Sequence, residues 1–307
     1  MDLSYIIPPI DREVLKNELS KERWVRNTNK LDNEIYVVNH HNSPNVMQEI
    51  GRLRELTFAQ AGGGTGEPVD IDEQDTADIC YEQLIVYSPE DEEIVGGYRF
   101  IDCAKVIEDE KYLHYLSTAH YFDFNEKFIK EFLPYTIELG RSWIQPAYQP
   151  TQNPRKGLFA LDNLWDGLGA LVLTHDHLRH FYGKVTMYPS YDKEARNALL
   201  SFMHHYFPDR DKMVTPKVPL KYDENNKKFL RMLKDLEFKD GYRLLSRFAK
   251  ERGETVPPLI AQYMALSATM KTFGTCLNAD FGNVEETGIL VTVADVYPEK
   301  SERHLTL

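Results

Sequence analysis

The chain has 307 residues, 42% hydrophobic and 27% charged, a composition that suits a soluble globular protein with ample material for a core. Its formal charge of −12 excludes nucleic-acid binding through the whole molecule, which needs a basic face. Three cysteines, at 80, 103 and 276 without a CxxC pair, exclude a disulfide scaffold and point to free thiols in a reducing compartment.

Residues 1–30 read as a charged arm, with a short helix over Arg12 to Glu22. The run EIYVVN (Glu34 to Asn39) predicts a first strand. Val46, Ile50, Leu53 and Phe58 recur at helical spacing, so Pro44 to Gln60 predicts an amphipathic helix with Ser43 as its cap and Pro44 at the first position. Gly62-Gly63-Gly64 ends it. Because these glycines follow a helix and match neither GxGxxG nor GxxxxGK[ST], they read as a mobile loop and not as a phosphate cradle.

Tyr81 to Tyr87 and Ile94 to Ile101 predict a hairpin across the acidic turn Ser88 to Glu93, followed by an irregular aromatic stretch. Helices are expected over Leu161 to Phe181, Asp192 to Tyr206, Lys227 to Leu236 and Pro257 to about Met270, and strands over Lys184 to Tyr188 and Ile289 to Val293. This order describes one α/β (α+β) domain over residues 31–307 with a mixed sheet, including a C-terminal helical extension from about residue 210. No apolar run reaches about 18 residues and Met1-Asp2-Leu3-Ser4 lacks a leader pattern, so the expectation is a cytoplasmic protein, at most peripheral at the inner membrane face.

Between Pro134 and Pro146 lies Glu138-Leu139-Gly140-Arg141-Ser142-Trp143-Ile144, a carboxylate and a guanidinium three residues apart on what reads as a buried strand. An odd separation puts 138 and 141 on opposite faces unless a bulge or bend intervenes, and Gly140 is the residue placed to permit one. The bland alternative is a structural ion pair. Other constellations are weaker. His175, His177 and His180 do not share a helical face, so no metal site is expected there. The HxxxxD spacing of His204 and Asp209 falls at a helix end near Pro208. Asp70, Asp72, Glu73 and Asp75 lack a twelve-residue calcium pattern; either they are a solvated turn, or one or two of them pair with Arg54 or Arg99.

In order along the chain, Glu49 to Phe58 (EIGRLRELTF), Gly64-Thr65-Gly66 with the DIDEQD acids, Ile94 to Phe100 (IVGGYRF), ELGRSWIQPAYQ from Glu138, Leu164-Trp165-Asp166-Gly167-Leu168-Gly169, Pro257-Pro258-Leu259-Ile260 and Asp280 to Val284 form an ordered set. The set resembles the acyl-carrier-protein-dependent N-acyltransferases of ornithine and glycine lipid synthesis, often labelled hemolysin-like, which are relatives of the acyl-homoserine-lactone synthases. The resemblance covers about residues 46–297. It implies a GNAT-like fold, a mostly antiparallel sheet flanked by helices, with an acyl-phosphopantetheine arm in a cleft where two central strands splay.

It further implies that Arg54, Phe58, Asp72, Asp75, Arg99, Glu138 and Arg141 shape the acyl and acceptor sites, with Glu138 taking a proton from the attacking amine. Arg141 would pin the acceptor carboxylate or hold Glu138 in position. Phe58, Trp143 and Trp165 are candidate walls of an acyl tunnel, or plain core. Where CoA-using relatives carry a glycine-rich pyrophosphate turn, this chain has Gln145-Pro146-Ala147-Tyr148-Gln149, which favours a carrier protein over CoA as donor, with no bound cofactor. Carrier proteins are acidic, so Arg155, Lys156, Arg179 and Lys184 are the candidate dock. The expected acceptor is a small amino acid, glycine or ornithine. A CoA-dependent acetyltransferase, a non-catalytic acyl-binding module and an O-acyltransferase using His204 and Asp209 remain as alternatives.

Overall fold

The computed structural model describes residues 2–107, 110–150, 152–221 and 227–304. Helix α1 (Arg12–Glu18) is capped by Asp11, and strand β1 (Trp24–Asn27), unforeseen in the sequence, pairs with β2 (Glu34–Val38). Helix α2 (Pro44–Gln60) has the expected bounds, but its cap differs. Ser43 makes no capping bond; the Glu18 carboxylate, from the end of α1, accepts from the Asn45 and Val46 amides instead. A carboxylate at a helix N-terminus satisfies orphan donors and opposes the dipole.

The chain continues through α3 (Glu73–Thr76), the hairpin of β3 (Glu82–Ser88) and β4 (Glu93–Asp102), α4 (Ala104–Ile107), β5 (Phe122–Phe124) and β6 (Thr136–Ile144). Helix α5 (Pro154–Thr174) starts before and ends earlier than expected, because Asn153 caps it through the Lys156 amide and the chain turns at His175 to enter β7 (His180–Met187). After α6 (Lys193–Tyr206) come β8 (Val214–Pro216), α7 (Lys227–Leu233), α8 (Phe238–Lys250), α9 (Pro258–Met264), β9 (Lys271–Asn278), β10 (Val284–Thr292) and α10 (Pro298–His304). Helix α8 went unread in the sequence although Phe238, Tyr242, Leu245 and Ala249 mark one face. It packs closely on α6, where a Cβ at Gly241 would lie 2.2 Å from the Tyr206 hydroxyl.

Among the described residues eight strands form one sheet in the order β1-β2-β3-β4-β6-β7-β10-β9, antiparallel throughout except for β6 and β7. The mostly antiparallel sheet flanked by helices is the GNAT-like architecture expected. The segment after residue 210 is more than a helical extension, since β10 pairs with the whole of β7 and carries β9 outside it. One sheet face packs through Phe100, Ile137, Leu139 and Val185 onto residues of α5, α6, α8 and α9. The other face is covered in two parts, by α1 and α2 around Val46 and Ile50, and by residues 103–107 and 112–133 around Tyr81, Phe122, Phe128 and Tyr182.

Candidate active site

Strands β6 and β7 are paired only from Thr136–His180 to Leu139–Gly183. Beyond that point β6 stays with β4 and β7 stays with β10, so the two part and open a cavity of about 240 Å³. Its walls include Glu138, Arg141, Tyr182 and Lys184 from the parting strands, Tyr98 and Arg99 from β4, Tyr263 from α9, and Phe58, Phe281 and Glu286.

The parity problem posed by Glu138 and Arg141 is solved by a bulge. Gly140 lies opposite Arg99 and Trp143 opposite Gly97, so Arg141 and Ser142 together face Tyr98 alone. The left-handed residue in it is Arg141 itself (φ 44°), not Gly140. A bulge re-aims side chains, and an unfavourable backbone angle persists only where neighbours fix it. Here they do: Arg141 Nε and Nη2 donate to the two Asp70 oxygens at 2.8 and 3.2 Å, and its guanidinium lies 4.2 Å from the Phe281 ring centre.

Asp70 also accepts from Arg54 Nε at 3.0 Å, and Arg54 Nη1 reaches Asp75 at 3.2 Å. Arg99 Nη1 donates to Asp72 at 2.6 Å and to Asp75 at 3.3 Å. Three arginines and three aspartates therefore form one neutral network, in which Arg54, Asp70 and Asp75 are completely buried. Asp70, Asp72 and Asp75 thus form neither a calcium loop nor a solvated turn, and only Glu73 of the DIDEQD acids is exposed: Asp72 and Asp75 close a reciprocal capping box on α3 and aim their carboxylates at the arginines. Burial works to raise the Asp70 pKa, but Arg141 and Arg54 outweigh it and pull it down to about 2. Asp72 is lowered in the same way, with Arg99 and Arg141 overcoming its burial.

Glu138 is 1% exposed and makes no ion pair with Arg141. Its Oε1 accepts from the Tyr81 hydroxyl at 2.6 Å and the Thr118 amide at 3.2 Å, and its Oε2 accepts from the Thr118 hydroxyl. Tyr81 in turn accepts from the Ser117 amide at 2.8 Å, and the Arg99 guanidinium sits 5.0 Å from its ring centre. This links the carboxylate to the arginine network. Burial raises the Glu138 pKa against these hydrogen bonds and the nearby Lys184 charge. A carboxylate so placed is a candidate proton acceptor.

Not every predicted residue comes to this cavity. Trp143 is buried among Tyr36, Ile85 and Ile94 in the core, whereas Trp165 lines a second, smaller apolar cavity of about 50 Å³. Arg155 and Arg179 are exposed but stand at opposite ends of α5, and Lys156 is paired with Asp91 at 2.5 Å. Lys184 belongs to no surface dock: its side chain is 9% exposed, paired with Glu286 at 2.7 Å inside the cavity. The glycine loop is pinned, since Glu55 accepts from the Thr65 and Gly66 amides at 2.8 and 2.9 Å. Asp209 is occupied by the Met213 amide at 2.6 Å, a turn-holding role. Sequence reading missed Tyr81, Ser117, Thr118 and Glu286; Thr118 lies in the irregular aromatic stretch, where no periodicity signals a site.

Comparison with known proteins agrees with the fold. Residues 53–156 match the acetyltransferase (GNAT) domain model. A relative named glycine N(alpha)-acyltransferase, from Phocaeicola vulgatus, is 50% identical over 98% of this chain and 92% of its own length. Another of the same name, from Bacteroides thetaiotaomicron, is 49% identical over 98% of this chain and 89% of its own. The chain belongs to the GNAT N-acyltransferases. No solved structure gives a significant match. In this acyltransferase the matched GNAT segment carries Arg54, the three aspartates, Arg99, Glu138 and Arg141, while the opposite cavity wall, β7 and β10, lies beyond it. No described helix is long and apolar enough to cross a membrane.

Proposed function

We propose that this acyltransferase moves a long, 3-hydroxylated acyl group from the phosphopantetheine thioester of an acyl carrier protein to the amine of glycine, in the synthesis of an aminolipid. The observation that carries the reading is the two-sidedness of the cavity. Register assigns Arg99, Glu138, Tyr182, Lys184 and Glu286 to one sheet face, and Tyr98, Leu139, Phe181, Val185, Ile289 and Val291 to the other. The polar side suits a zwitterionic amino acid; the apolar side suits a fatty chain, which water would otherwise have to solvate. Leu139, Phe181, Tyr263 and Val291 also line the second apolar cavity, which lengthens the run of apolar wall. Glycine is the acceptor in the names of both relatives.

In the mechanism that fits, the glycine ammonium loses a proton to Glu138, directly or through a water, and the amine attacks the thioester carbonyl between the parted strands. The C–N bond forms, the C–S bond breaks, and the pantetheine thiolate leaves and is protonated, so that an amide, a thiol and one released proton result. A backbone N–H freed where β6 and β7 part supplies the donor for the developing oxyanion.

The turn after β6 favours a carrier donor over CoA. Its Tyr148, Gln149, Gln152 and Asn153 amides bond within the turn, Asn153 holds the Lys156 and Gly157 amides, and the Asp91 carboxylate stands beside it. A pyrophosphate needs free N–H groups and no adjacent carboxylate. The test is a purified-enzyme assay with 3-hydroxypalmitoyl carrier protein, 3-hydroxypalmitoyl-CoA or acetyl-CoA against glycine, ornithine and other amines, read by mass spectrometry. N-acylglycine from the carrier-bound donor is expected; turnover of acetyl-CoA alone would overturn the reading.

A further inference from the structure

Three cations line the polar side of the cavity, Arg99, Arg141 and Lys184, and they are engaged differently. Arg99 is 1% exposed and gives Nη1 to both Asp72 and Asp75. Arg141 spends Nε and Nη2 on Asp70, stacks on Phe281 and has a second acid, Asp72, 3.7 Å away. It is a structural member of the neutral network. Lys184 gives one of its three ammonium protons to Glu286 at 2.7 Å. Glu286 is also held by Asn278 Nδ2 at 3.3 Å, and Asn278 accepts from the Tyr121 hydroxyl at 2.8 Å. The Lys184 Nζ lies 4.3 Å from the centre of the Tyr121 ring, so the lysine is fixed in place with donor capacity to spare.

Position matters as much as capacity. Lys184 directly follows Gly183, whose partner Leu139 is the last residue at which β6 and β7 pair. Tyr182, the residue paired with Glu138, shares the Lys184 face, so the ammonium and the proton-accepting carboxylate flank the same opening. In an α-amino acid the carboxylate carbon is two bonds from the nitrogen. A nitrogen placed for deprotonation by Glu138 therefore carries its carboxylate into the neighbourhood of Lys184.

We infer that Lys184, held by Glu286 and Tyr121, is the anchor for the carboxylate of the acceptor amino acid, and that it selects α-amino acids over amines without a carboxylate. This rests on the proposed transfer to glycine. Glu286 fixes the lysine and keeps the empty cavity neutral at that point, so that the arriving carboxylate meets a prepared donor.

The experiment compares glycine with glycinamide, which has the amine but no anion, as acceptors for wild type, Lys184→Met, Lys184→Arg and the double variant Lys184→Met/Glu286→Gln. The double variant is included because Lys184→Met alone strands a buried carboxylate. Wild type should strongly prefer glycine. Lys184→Met and the double variant should raise the glycine KM by about 10- to 100-fold while changing the glycinamide KM less than about threefold, with any effect of the lost Lys184 charge on Glu138 appearing as the same change in kcat for both acceptors, and Lys184→Arg should recover part of the glycine loss.

An equal rise in KM for both acceptors in the folded double variant, or an unchanged glycine KM, would overturn the anchor while leaving the acyltransferase reading intact. Wild type that uses glycinamide as well as glycine would also overturn it. Failure of wild type to acylate any amine from any donor would overturn the transfer to glycine, and the anchor with it.

Discussion

Where β6 and β7 part, neighbouring residues of the same strands build two environments that share almost no chemistry. On one face Arg99, Glu138 and Lys184 stand among carboxylates and hydroxyls; on the other Tyr98, Leu139 and Val185, each next in sequence to one of them, stand in the hydrophobic core. The period of two that puts adjacent strand residues on opposite faces normally divides core from solvent. In this enzyme it divides two buried compartments, which the proposed function assigns to a charged acceptor and to an acyl chain, with the reacting atoms at the gap. The charged side costs desolvation, which the network offsets by matching three arginines with three aspartates. The apolar side needs no such balance.

The sharpest break on the charged side is Glu138→Gln. With the proposed proton acceptor gone, kcat should fall by about 10²- to 10⁴-fold while the circular-dichroism melt shifts little. Because burial raises the Glu138 pKa, wild-type activity should climb with pH above the ordinary carboxylate range, and the variant should lack that limb. A variant of unchanged rate and pH profile would remove Glu138 from the chemistry.

Arg54→Met probes the same side structurally. Arg54 is completely buried between Asp70 and Asp75, so its loss leaves both acids undercompensated and should cost about 3–5 kcal/mol in a denaturant melt. Asp70 gives a pH signature of smaller size. Its carboxyl is held at about 2 in the fold against an ordinary 3.8, so the stability it contributes is full above the ordinary value and is lost as pH falls through the lower one. Asp70→Asn should therefore flatten the fall in stability between those values, by about 2 kcal/mol, as measured by urea melts across that range.

On the apolar side the expected change is in selectivity and not in rate. Val291 belongs to the wall shared by the main cavity and the second one. Val291→Phe should shift the preferred acyl donor to shorter chains by about 10- to 200-fold in relative kcat/KM, with short-chain transfer retained. Loss of all chain lengths alike would mean that Val291 supports the fold and not the tail.

The sequence made the framework of this comparison legible and left part of its content hidden. Strong local periodicity marked α2 and the β3–β4 hairpin, and the Glu138 to Ile144 block announced polar groups on a buried strand. The resemblance to carrier-dependent N-acyltransferases assembled Arg54, Asp72, Asp75, Arg99, Glu138 and Arg141 as one set. The partners of Glu138 were out of reach, because Thr118 enters from an irregular segment 20 residues away and only the tertiary fold brings it near. Lys184 was misread for a related reason: a lysine on a short strand reads as exposed until β10 is seen beside it, with Glu286 facing the same side. Trp143 shows the converse, an aromatic next to the site in sequence that the bulge turns into the core.

The most direct test of the two-compartment account is photo-crosslinking with a carrier-protein thioester whose acyl chain bears a diazirine near its middle, followed by peptide mass spectrometry. Adducts at Leu139, Phe181, Tyr263 or Val291 are the predicted result. Adducts at Asp70 to Asp75, Ser117 to Thr118 or Glu286 would place the chain on the charged face and contradict it.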